Sequence, residues 1–293
     1  MNENNLVSVV ICTRNRAAQL EKALLSWCNV DRERLKEIIV VDNGSEDETL
    51  EVVENISKNT TIIIRYLYQG VVGVSAARNK GLVSASGEII SFSDDDCYPS
   101  TDFISEVVKV FEENPTVGFV GGRVLLFDPT DLPITLQTSE KIIKFPLNKF
   151  FRAGLIHGAN FSIKSSQVKN RFLFDERFGP GSYLISAEDT DFINRLLWNC
   201  VPGIFHPGPV VYHHHGRKTA DVAKKLHNSY SIGRGAYYMK CFLNSKTRSA
   251  CIEHFYSELR RDFDKKRILE IWGAIKFLRV SSTEQNEWKI NAI

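Results

Sequence analysis

The stretch Gly87-Glu-Ile-Ile-Ser-Phe-Ser-Asp-Asp-Asp-Cys-Tyr-Pro99 indicates the fold more strongly than any other part of the chain. Its apolar residues Ile89, Ile90 and Phe92 form a strand pattern that runs directly into three consecutive carboxylates. Because aspartate is a poor strand former and a good turn former, residues 94–96 are expected at the carboxyl end of this strand. In an open parallel sheet, ligands bind at that edge.

Three adjacent carboxylates repel one another, and a cation that neutralises them makes such a cluster tolerable. Oxygen ligands of this type suit Mg²⁺ or Mn²⁺. In isolation, Asp94, Asp95 and Asp96 would be read as a solvated acidic turn. Their position directly after a buried strand favours a metal site instead.

Apolar runs of strand length alternate with helical patterns through the first hundred residues. The strand patterns cover residues 7–12, 38–41 and 62–67. Ser45 and Glu48 have the spacing of a capping box, which predicts that a helix begins there. This alternation predicts an α/β fold with a mostly parallel sheet flanked by helices.

The polar loops that follow these strands are expected to meet. Right-handed crossovers place residues 13–16, 42–45 and 94–96 at one edge of the sheet, as in a nucleotide-type site. The second half of the chain is less regular. Its strand patterns lie at residues 118–127, 158–163 and 210–212, and residues 128–150 form a connector without a clear pattern.

Charge is distributed unevenly along the chain. The whole sequence has 37 basic and 35 acidic residues, but residues 217–293 hold 16 basic and 8 acidic residues. The first 216 residues therefore carry a net charge of −6 and the tail +8, which predicts a tail that faces an anionic partner. The six cysteines have no CxxC spacing, no signal peptide pattern is present, and no apolar run approaches the ~20 residues of a membrane span. These features favour a cytoplasmic protein with reduced thiols.

Seven motifs occur in an order that resembles glycosyltransferase family 2, whose members are inverting enzymes with a GT-A fold and nucleotide-diphospho-sugar donors. They are Ser8-Val-Val-Ile-Cys-Thr-Arg-Asn-Arg16, Ile39-Val-Val-Asp-Asn-Gly-Ser45, Ala76-Ala-Arg-Asn-Lys-Gly81, Phe92-Ser-Asp-Asp-Asp96, Gly158-Ala-Asn160, Glu188-Asp189 and His213-His-His215. The resemblance implies a Rossmann-like GT-A catalytic domain over residues 1–216. Its nucleotide-binding half is expected at about residues 1–100 and its acceptor half at about 101–216, followed by a basic helical extension over 217–293.

The resemblance also implies which residues bind the donor. Asp42 would accept a hydrogen bond from the uracil N–H, and Asn43 stands where the family commonly has a second aspartate. Arg78 lies in a helix that looks buried, and it needs an anionic partner, either Asp94 or the donor diphosphate. The implied nucleotide-sugar-binding residues are Thr13, Arg14, Arg16, Asp42, Arg78, Asp94, Asp95 and Gly158.

A divalent cation, Mn²⁺ or Mg²⁺, is implied by the same resemblance. Asp96 matches the last aspartate of the family's D-x-D element, and Asp94 matches the first, near the ribose or metal-bound water. A histidine near the end of the domain can complete the metal shell. Because side chains alternate along a strand, the three histidines cannot all point the same way; His213 is the first choice and His215 the second.

Asp189 and Glu188 are the implied catalytic pair. Inversion requires a general base that takes the proton of the acceptor hydroxyl. Both carboxylates are expected in the first turn of a helix, where the macrodipole favours their ionised forms. Helix capping without chemistry is the alternative interpretation. With the family match, Asp189 is the base and Glu188 orients the base or the acceptor.

The expected function is transfer of a hexosyl or N-acetylhexosaminyl group from a UDP-sugar to a carbohydrate or lipid-linked oligosaccharide. This would serve assembly of a bacterial surface polysaccharide or glycoconjugate, and no nucleic acid partner is expected. Two rivals are a sugar nucleotidyltransferase and a non-catalytic sugar-nucleotide-binding module. The first would have a glycine-rich phosphate loop, which residues 13–16 lack, and the second would be expected to lose base or metal residues.

The basic tail has two interpretations. Its apolar residues Ile268, Trp272, Ile275 and Leu278 are interleaved with lysine and arginine, so the helix can lie on the anionic inner face of the plasma membrane. Alternatively, the helix packs on the main domain and exposes a solvated basic face. Asp262, Asp264 and Glu270 would interrupt that basic face.

Overall fold

A computed structural model describes residues 6–169, 171–259 and 265–283. The described residues contain nine strands that belong to one sheet. These are β1 Val7–Thr13, β2 Leu35–Asp42, β3 Ile64–Tyr68, β4 Ile89–Asp94, β5 Cys97–Pro99, β6 Phe119–Leu126, β7 Ile143–Phe145, β8 Phe161–Lys164 and β9 Gly203–His213.

Helices connect or follow these strands. They are α1 Ala17–Trp27, α2 Thr49–Lys58, α3 Val74–Ser84, α4 Phe103–Glu113, α5 Ser165–Val168, α6 Glu188–Trp198, α7 Ala220–Leu243, α8 Arg248–Leu259 and α9 Lys265–Thr283.

The sheet is mixed, with strand order β3-β2-β1-β4-β8-β6-β9-β5 and β7 paired to β9. The predicted α/β fold with flanking helices is confirmed, and the first four strands of this order (β3, β2, β1 and β4) pair in parallel. β8 runs antiparallel to both of its neighbours, β4 and β6. A parallel pair needs a long crossover that usually contains a helix, and no α-helix lies between β6 and β8.

Both faces of the sheet are buried. Val9 and Ile11 of β1 belong to one hydrophobic core, whereas Val10 belongs to the core on the opposite face. On the first face, the rings of Trp27 and Phe103 meet edge to face with centroids 5.1 Å apart. This explains why the strand sequences are continuously apolar rather than alternating.

The predicted capping box at Ser45 and Glu48 is wrong. α2 begins at Thr49, and Glu48 makes no side-chain cap hydrogen bond. Ser45 Oγ instead accepts a hydrogen bond from the Asn15 amide (2.9 Å), and Asp47 bonds to the Thr49 hydroxyl (2.5 Å). The polar residues after β2 therefore tie two strand-end loops together before the helix starts.

β9 is much longer than the short strand predicted at residues 210–212. It has 11 residues and pairs in parallel with β6 through a register shift between Gly121 and Arg123. Two prolines, Pro207 and Pro209, weaken the strand pattern because proline cannot donate to a ladder. The irregularity accommodates them, so sequence periodicity underestimated the strand.

The C-terminal helices pack on the rest of the fold. Tyr237 on α7 donates a hydrogen bond to the carbonyl of Phe151 (2.8 Å). Lys240 lies 2.7 Å from both Asp175 and Asp191, and α9 packs along α7. None of the helices within the described ranges is long and apolar enough to cross a bilayer. Residues 284–293, part of the predicted extension, lie outside the described residues.

Candidate functional site

Three strand ends form the edge of the site. The parallel register pairs Thr13 with Asp42 and Cys12 with Asp94, so β1, β2 and β4 end side by side. The loops after these strands meet at that edge, as their polar residues predicted. Arg14 is exposed on the loop that follows β1.

The three carboxylates after β4 differ in environment. Asp95 and Asp96 are buried, whereas the Asp94 side chain is 37% exposed. Arg16 bridges the buried pair, with 2.7 Å to Asp95 and 2.8 Å to Asp96, and the Thr13 hydroxyl donates to Asp95 (2.8 Å). Burial raises the pKa of Asp95 to about 7 despite the nearby Arg16 charge. The cluster is thus incompletely neutralised.

Asp96 and His213 meet across the site. β5 pairs with β9 so that Cys97 lies opposite His213, and His213 Nε2 is 3.3 Å from Asp96 Oδ1. Burial opposes ionisation of Asp96, but the hydrogen bond and charge of His213, together with Arg16, hold its pKa well below its usual range. A buried carboxylate that stays ionised beside an imidazole is a suitable pair of ligands for Mn²⁺ or Mg²⁺.

Ligand atoms of Asp96, Cys97 and His213 lie within 4.8 Å of one another. Burial raises the pKa of the Cys97 thiol well above its usual value, so the thiol keeps its proton and is a poor partner for a hard cation. Asp94 does not belong to this group of potential ligands among the described residues. Its role at the metal stays a prediction, as does that of His213.

The other two histidines have different partners. His214 follows the end of β9, and its Nδ1 is 3.0 Å from the Tyr98 hydroxyl. His215 uses both ring nitrogens: Nε2 bonds to the carbonyl of Leu132 (3.1 Å), and Nδ1 accepts from the Arg217 amide (3.0 Å). This arrangement favours His213 over His215 as the metal-facing residue, and His215 does not face solvent.

Arg78 connects three elements. It is buried, and it binds Glu188 Oε1 on α6 (2.9 Å) and Asp94 Oδ1 at the end of β4 (3.2 Å). Asp94 was expected as one partner, but Glu188 was not. A Cβ on Gly158 would lie 2.5 Å from the guanidinium, so the glycine is required for Arg78 to occupy this position. Contact of Gly158 with a donor sugar stays a prediction.

α6 presents the predicted catalytic pair at its first two positions. Ala187 precedes it with a left-handed φ of 75°, and Glu188 is buried at the helix start. Burial and the Asp189 charge raise the pKa of Glu188 even though Arg78 lowers it. Burial therefore opposes the helix macrodipole at Glu188, because desolvation disfavours the charged form that the dipole favours. The bond to Arg78 fixes the position of the Glu188 carboxylate at the start of α6.

Asp189 is partly exposed and faces the loop that precedes β8. Its Oδ2 accepts a hydrogen bond from the Gly158 amide (3.1 Å), and its Oδ1 accepts from the Thr190 amide (2.6 Å). Within the described part of the chain Asp189 forms no ion pair, unlike Glu188, and the second lone pair of each oxygen remains available to a hydroxyl proton. The contacts fix its orientation without neutralising it.

The Asp42 carboxylate already accepts hydrogen bonds within the fold. Its Oδ1 accepts from the Ser45 amide (2.8 Å) and its Oδ2 from the Tyr66 hydroxyl (2.6 Å). Each carboxylate oxygen has a second lone pair, so these bonds leave room for a uracil N–H. Asn43, which replaces the family's second aspartate, bonds to Val71 and Gly73 backbone atoms (2.6 and 2.7 Å) and orders the following loop.

Two residues that the sequence analysis did not select also face the site. His157 Nε2 is buried and has no hydrogen-bond partner within the described ranges. The charge of Asp189 raises the pKa of its ring, and the charge of His213 lowers it. Tyr230 on α7 lies near Asp189, and burial raises its pKa. The position of His157, directly before Gly158-Ala-Asn160, was a signal that could have identified it.

Known proteins resemble the chain over large parts of its length. It is 44% identical over 182 residues to the GalNAc(5)-diNAcBac-PP-undecaprenol beta-1,3-glucosyltransferase of Campylobacter jejuni, covering 59% of this chain and 56% of that protein. It is 23% identical over 258 residues to a dolichyl N-acetyl-alpha-D-glucosaminyl phosphate 3-beta-D-2,3-diacetamido-2,3-dideoxy-beta-D-glucuronosyltransferase of Methanococcus voltae (82% and 76% covered). The matched segments span only 39% to 66% of the length of the C. jejuni protein and of three other similar relatives.

Solved structures share the fold. The mannosyltransferase PcManGT of Pyrobaculum calidifontis, in complex with GDP-Man and Mn²⁺, superposes with a TM-score of 0.65 at 17% identity, over 97% of this chain and 77% of that one. S. aureus TarS in complex with UDP-GlcNAc gives a TM-score of 0.63 at 15% identity, over 95% and 80%. The model of the family described as Glycosyl transferase family 2 matches residues 8–168, more than half of the sequence. The chain therefore belongs to glycosyl transferase family 2.

Proposed function

We propose that this chain is an inverting glycosyltransferase that moves a hexosyl or N-acetylhexosaminyl group from a UDP-sugar to a hydroxyl of a lipid-linked acceptor. The observation that carries the proposal is the convergence of Asp96–His213, Arg78–Glu188 and Asp189 at the edge where the strands end. These residues come from α3, α6, the end of β9 and the turn after β4, and together they offer a cation site, a buried arginine and an oriented carboxylate.

Asp189 is the base in this proposal. The Gly158 amide holds its Oδ2, and the helix start places the carboxylate at the rim of the site. From there it takes the proton of the acceptor hydroxyl while that oxygen attacks the anomeric carbon from the side opposite the leaving group. Glu188, bound to Arg78, fixes the first turn of α6 and so the direction of Asp189.

Positively charged groups stabilise the leaving diphosphate. Arg16 is 38% exposed and touches Asp95 and Asp96 at the floor of the site, where it can turn towards a phosphate. Asp96 and His213 would hold a divalent cation, which supplies Lewis acidity for departure of the nucleoside diphosphate. Asp42 would fix the uracil ring at the end of β2. These assignments explain why residues far apart in sequence meet at one edge.

The acceptor and the location follow from the relatives and from the tail. Undecaprenol and dolichyl in the relatives' names are membrane lipids, and the extension of this chain is basic. We infer that the chain works at the inner face of the plasma membrane, in assembly of a surface polysaccharide or glycoconjugate.

A panel of nucleotide-sugars tests the chemistry. Purified protein with Mn²⁺ is expected to hydrolyse one UDP-sugar slowly without acceptor, and EDTA is expected to stop the release of UDP. With the acceptor, NMR of the product should show an anomeric configuration opposite to that of the donor. Retention of configuration would contradict the inverting mechanism, and turnover of GDP-sugars alone would contradict the UDP assignment.

A further inference from the structure

The outward face of α9 is apolar. Ile268, Ile271, Trp272, Ile275 and Leu278 recur at the spacing of one helical face and form what we call the α9 stripe. Their exposed fractions lie between 39% and 62%. Five large apolar side chains in one exposed row are unusual on a monomer surface and mark a contact surface.

The opposite face of α9 already holds the helix in place. A Cβ on Gly273 would lie 1.9 Å from the carbonyl oxygen of Ile232 on α7, so the two helices touch through backbone. Phe277 is buried, with its ring 6.0 Å from that of Phe178. The α9 stripe is therefore not needed for packing within the described part of the chain.

The charges of α9 are almost all positive. Residues 265–283 contain five basic residues and one acidic residue, Glu270. Glu270 is buried, and it pairs with Arg234 and Arg267 at 2.7 Å each. It does not interrupt the basic face, contrary to the sequence expectation. Asp262 and Asp264, the other two expected interruptions, lie outside the described residues.

Trp272 and Arg279 have the arrangement expected at a lipid interface. The Arg279 guanidinium lies over the Trp272 ring, 5.4 Å from its centroid, so a cation accompanies the apolar stripe. Lys276 flanks the stripe, 4.4 Å above the Tyr183 ring. Aromatic rings and long cationic side chains are both suited to the headgroup region, where one end is apolar and the other polar.

We propose that the α9 stripe docks this chain on an anionic lipid bilayer, with α9 lying in the plane of the interface. The inference deepens the proposed membrane-face location, on which it rests, by naming the surface. An apolar stripe with basic residues beside it is how interfacial helices bind anionic lipids. α7 connects this surface to the site. The hydroxyl of Ser186, two residues before Glu188, donates a hydrogen bond to the carbonyl of Ser229 on α7 (3.0 Å).

A second copy of the chain fits the α9 stripe less well. A two-fold contact would bring the same surface of each copy together. Lys276 would then approach its counterpart with no exposed acidic side chain on the described part of α9 to balance it. An anionic surface neutralises this cation, whereas self-association repels it.

Vesicle flotation of the full chain tests the proposal. We compare the wild type with a variant carrying Ile271→Ser and Trp272→Ser, on vesicles of phosphatidylcholine with and without phosphatidylglycerol. The matched control carries Ile63→Ser and Val83→Ser, which are 59% and 64% exposed elsewhere on the surface. The stripe variant is expected to bind anionic vesicles ~10- to 100-fold more weakly, as expected for loss of two large apolar side chains. The control is expected to bind like the wild type.

A charge variant, Lys276→Glu with Arg279→Glu, separates the two contributions. It is expected to lose the preference for anionic vesicles, and wild-type binding should fall as salt rises from ~0.1 to ~1 M, where the Debye length shortens from ~10 to ~3 Å. Circular dichroism and slow donor hydrolysis without vesicles check that each variant is folded and keeps its site.

Equal flotation of the wild type and the stripe variant would overturn the assignment of this surface. Failure of the wild type to float, with donor hydrolysis intact, would overturn docking while the proposed chemistry stands. Flotation with no hydrolysis of any donor would support docking and contradict the chemistry. A dimer in light scattering that the stripe variant abolishes, without vesicle binding, would assign the stripe to a second copy.

Discussion

Two polar clusters lie at opposite ends of the same strands, one around the single buried carboxylate of Glu37 and one around Asp95 and Asp96. At the amino end, Glu37 of β2 accepts hydrogen bonds from the Ser8 hydroxyl (2.7 Å), the Ser86 hydroxyl (2.5 Å) and amide (2.8 Å), and Arg65 (2.6 Å). Although Glu37 is buried, these four bonds lower its pKa to about 2. This cluster is fully satisfied and joins the starts of β1, β2 and β3 with the turn before β4.

At the carboxyl ends of the strands, in contrast, the buried polar groups are only partly satisfied. Asp95 and Asp96 share one partly exposed arginine, and burial raises the pKa of Asp95 to about 7. The Ser93 hydroxyl and His157 Nε2 are buried without a partner in the described part of the chain. A cluster that serves the fold satisfies every oxygen, whereas a binding site keeps groups that only a ligand can satisfy.

The largest effect is expected at Asp189. Asp189→Asn keeps the side-chain shape and one of the two bonds from the Gly158 and Thr190 amides, since its NH2 group cannot accept the other, and it removes the ability to take a proton. Turnover should fall ~10²- to 10⁴-fold, the usual contribution of a general base. UDP affinity, measured by calorimetry, should not change.

Asp102→Asn provides the control for this variant, because Asp102 is an exposed aspartate directly before the start of α4 and makes no cap hydrogen bond. It should keep full turnover. Near-normal turnover of Asp189→Asn would place the base elsewhere in the site.

The second prediction concerns the cation. Wild-type affinity for UDP is expected to rise at least ~10-fold with Mn²⁺ over EDTA, and Asp96→Asn should abolish that difference because it removes the ionised ligand beside His213. Asp102→Asn is again the control, since Asp102 lies on the surface before α4 and is not in the group of potential ligands. Equal UDP affinity of the wild type in both buffers would remove the metal from the proposal.

The sequence predicted the site residues best where a carboxylate stands at the end of an apolar strand pattern. Asp42, Asp94 and Asp96 stand directly after buried strands, so a local pattern was enough to place them at one edge. The pairing of Arg78 with Glu188 joins residues 110 positions apart, and no local sequence pattern predicts it.

The satisfied cluster around Glu37 was missed for the same reason. Its donors come from residues 28 to 49 positions away, and a lone glutamate at the start of a strand looks like an exposed residue. Tertiary contacts also bury Glu188, so that desolvation opposes the helix dipole there. Local sequence shows which residues reach the edge, and the fold decides how each is neutralised.

The third prediction tests the satisfied cluster. Glu37→Gln should lower the free energy of unfolding by ~1–3 kcal/mol at pH 7, because the amide places an N–H against donors. The folded pKa of about 2 lies below the ordinary value of 4.5, so the stabilisation is complete above pH 4.5 and is lost as the pH falls towards 2. Urea titrations should show the difference from wild type shrinking below pH 4.5.

Glu54→Gln is the control for the Glu37 variant. Glu54 is 57% exposed and contacts Lys58 at 3.6 Å on the surface of α2, so the change should leave stability almost unaltered at every pH. A Glu37 variant as stable as this control would contradict the view that the amino-end cluster stabilises the fold.

The smallest effect is expected at His157, and it bears most directly on the contrast between the two clusters. Burial lowers the pKa of this histidine from 6.5, and the carbonyl of Leu136 accepts a hydrogen bond from its ring, so the neutral ring presents Nε2 as a bare acceptor. If a sugar hydroxyl donates a hydrogen bond to Nε2, His157→Ala should raise KM for donor or acceptor ~10-fold with a smaller change in kcat. This is the effect expected for loss of one hydrogen bond to a buried group.

His157→Gln, which offers an acceptor in a similar place, should restore most of the loss. Because the ring is neutral, the effect should be constant from pH 7 to ~9. An unchanged KM for His157→Ala would mean that Nε2 meets no substrate, and that an unpaired buried group at this edge does not by itself identify a binding residue.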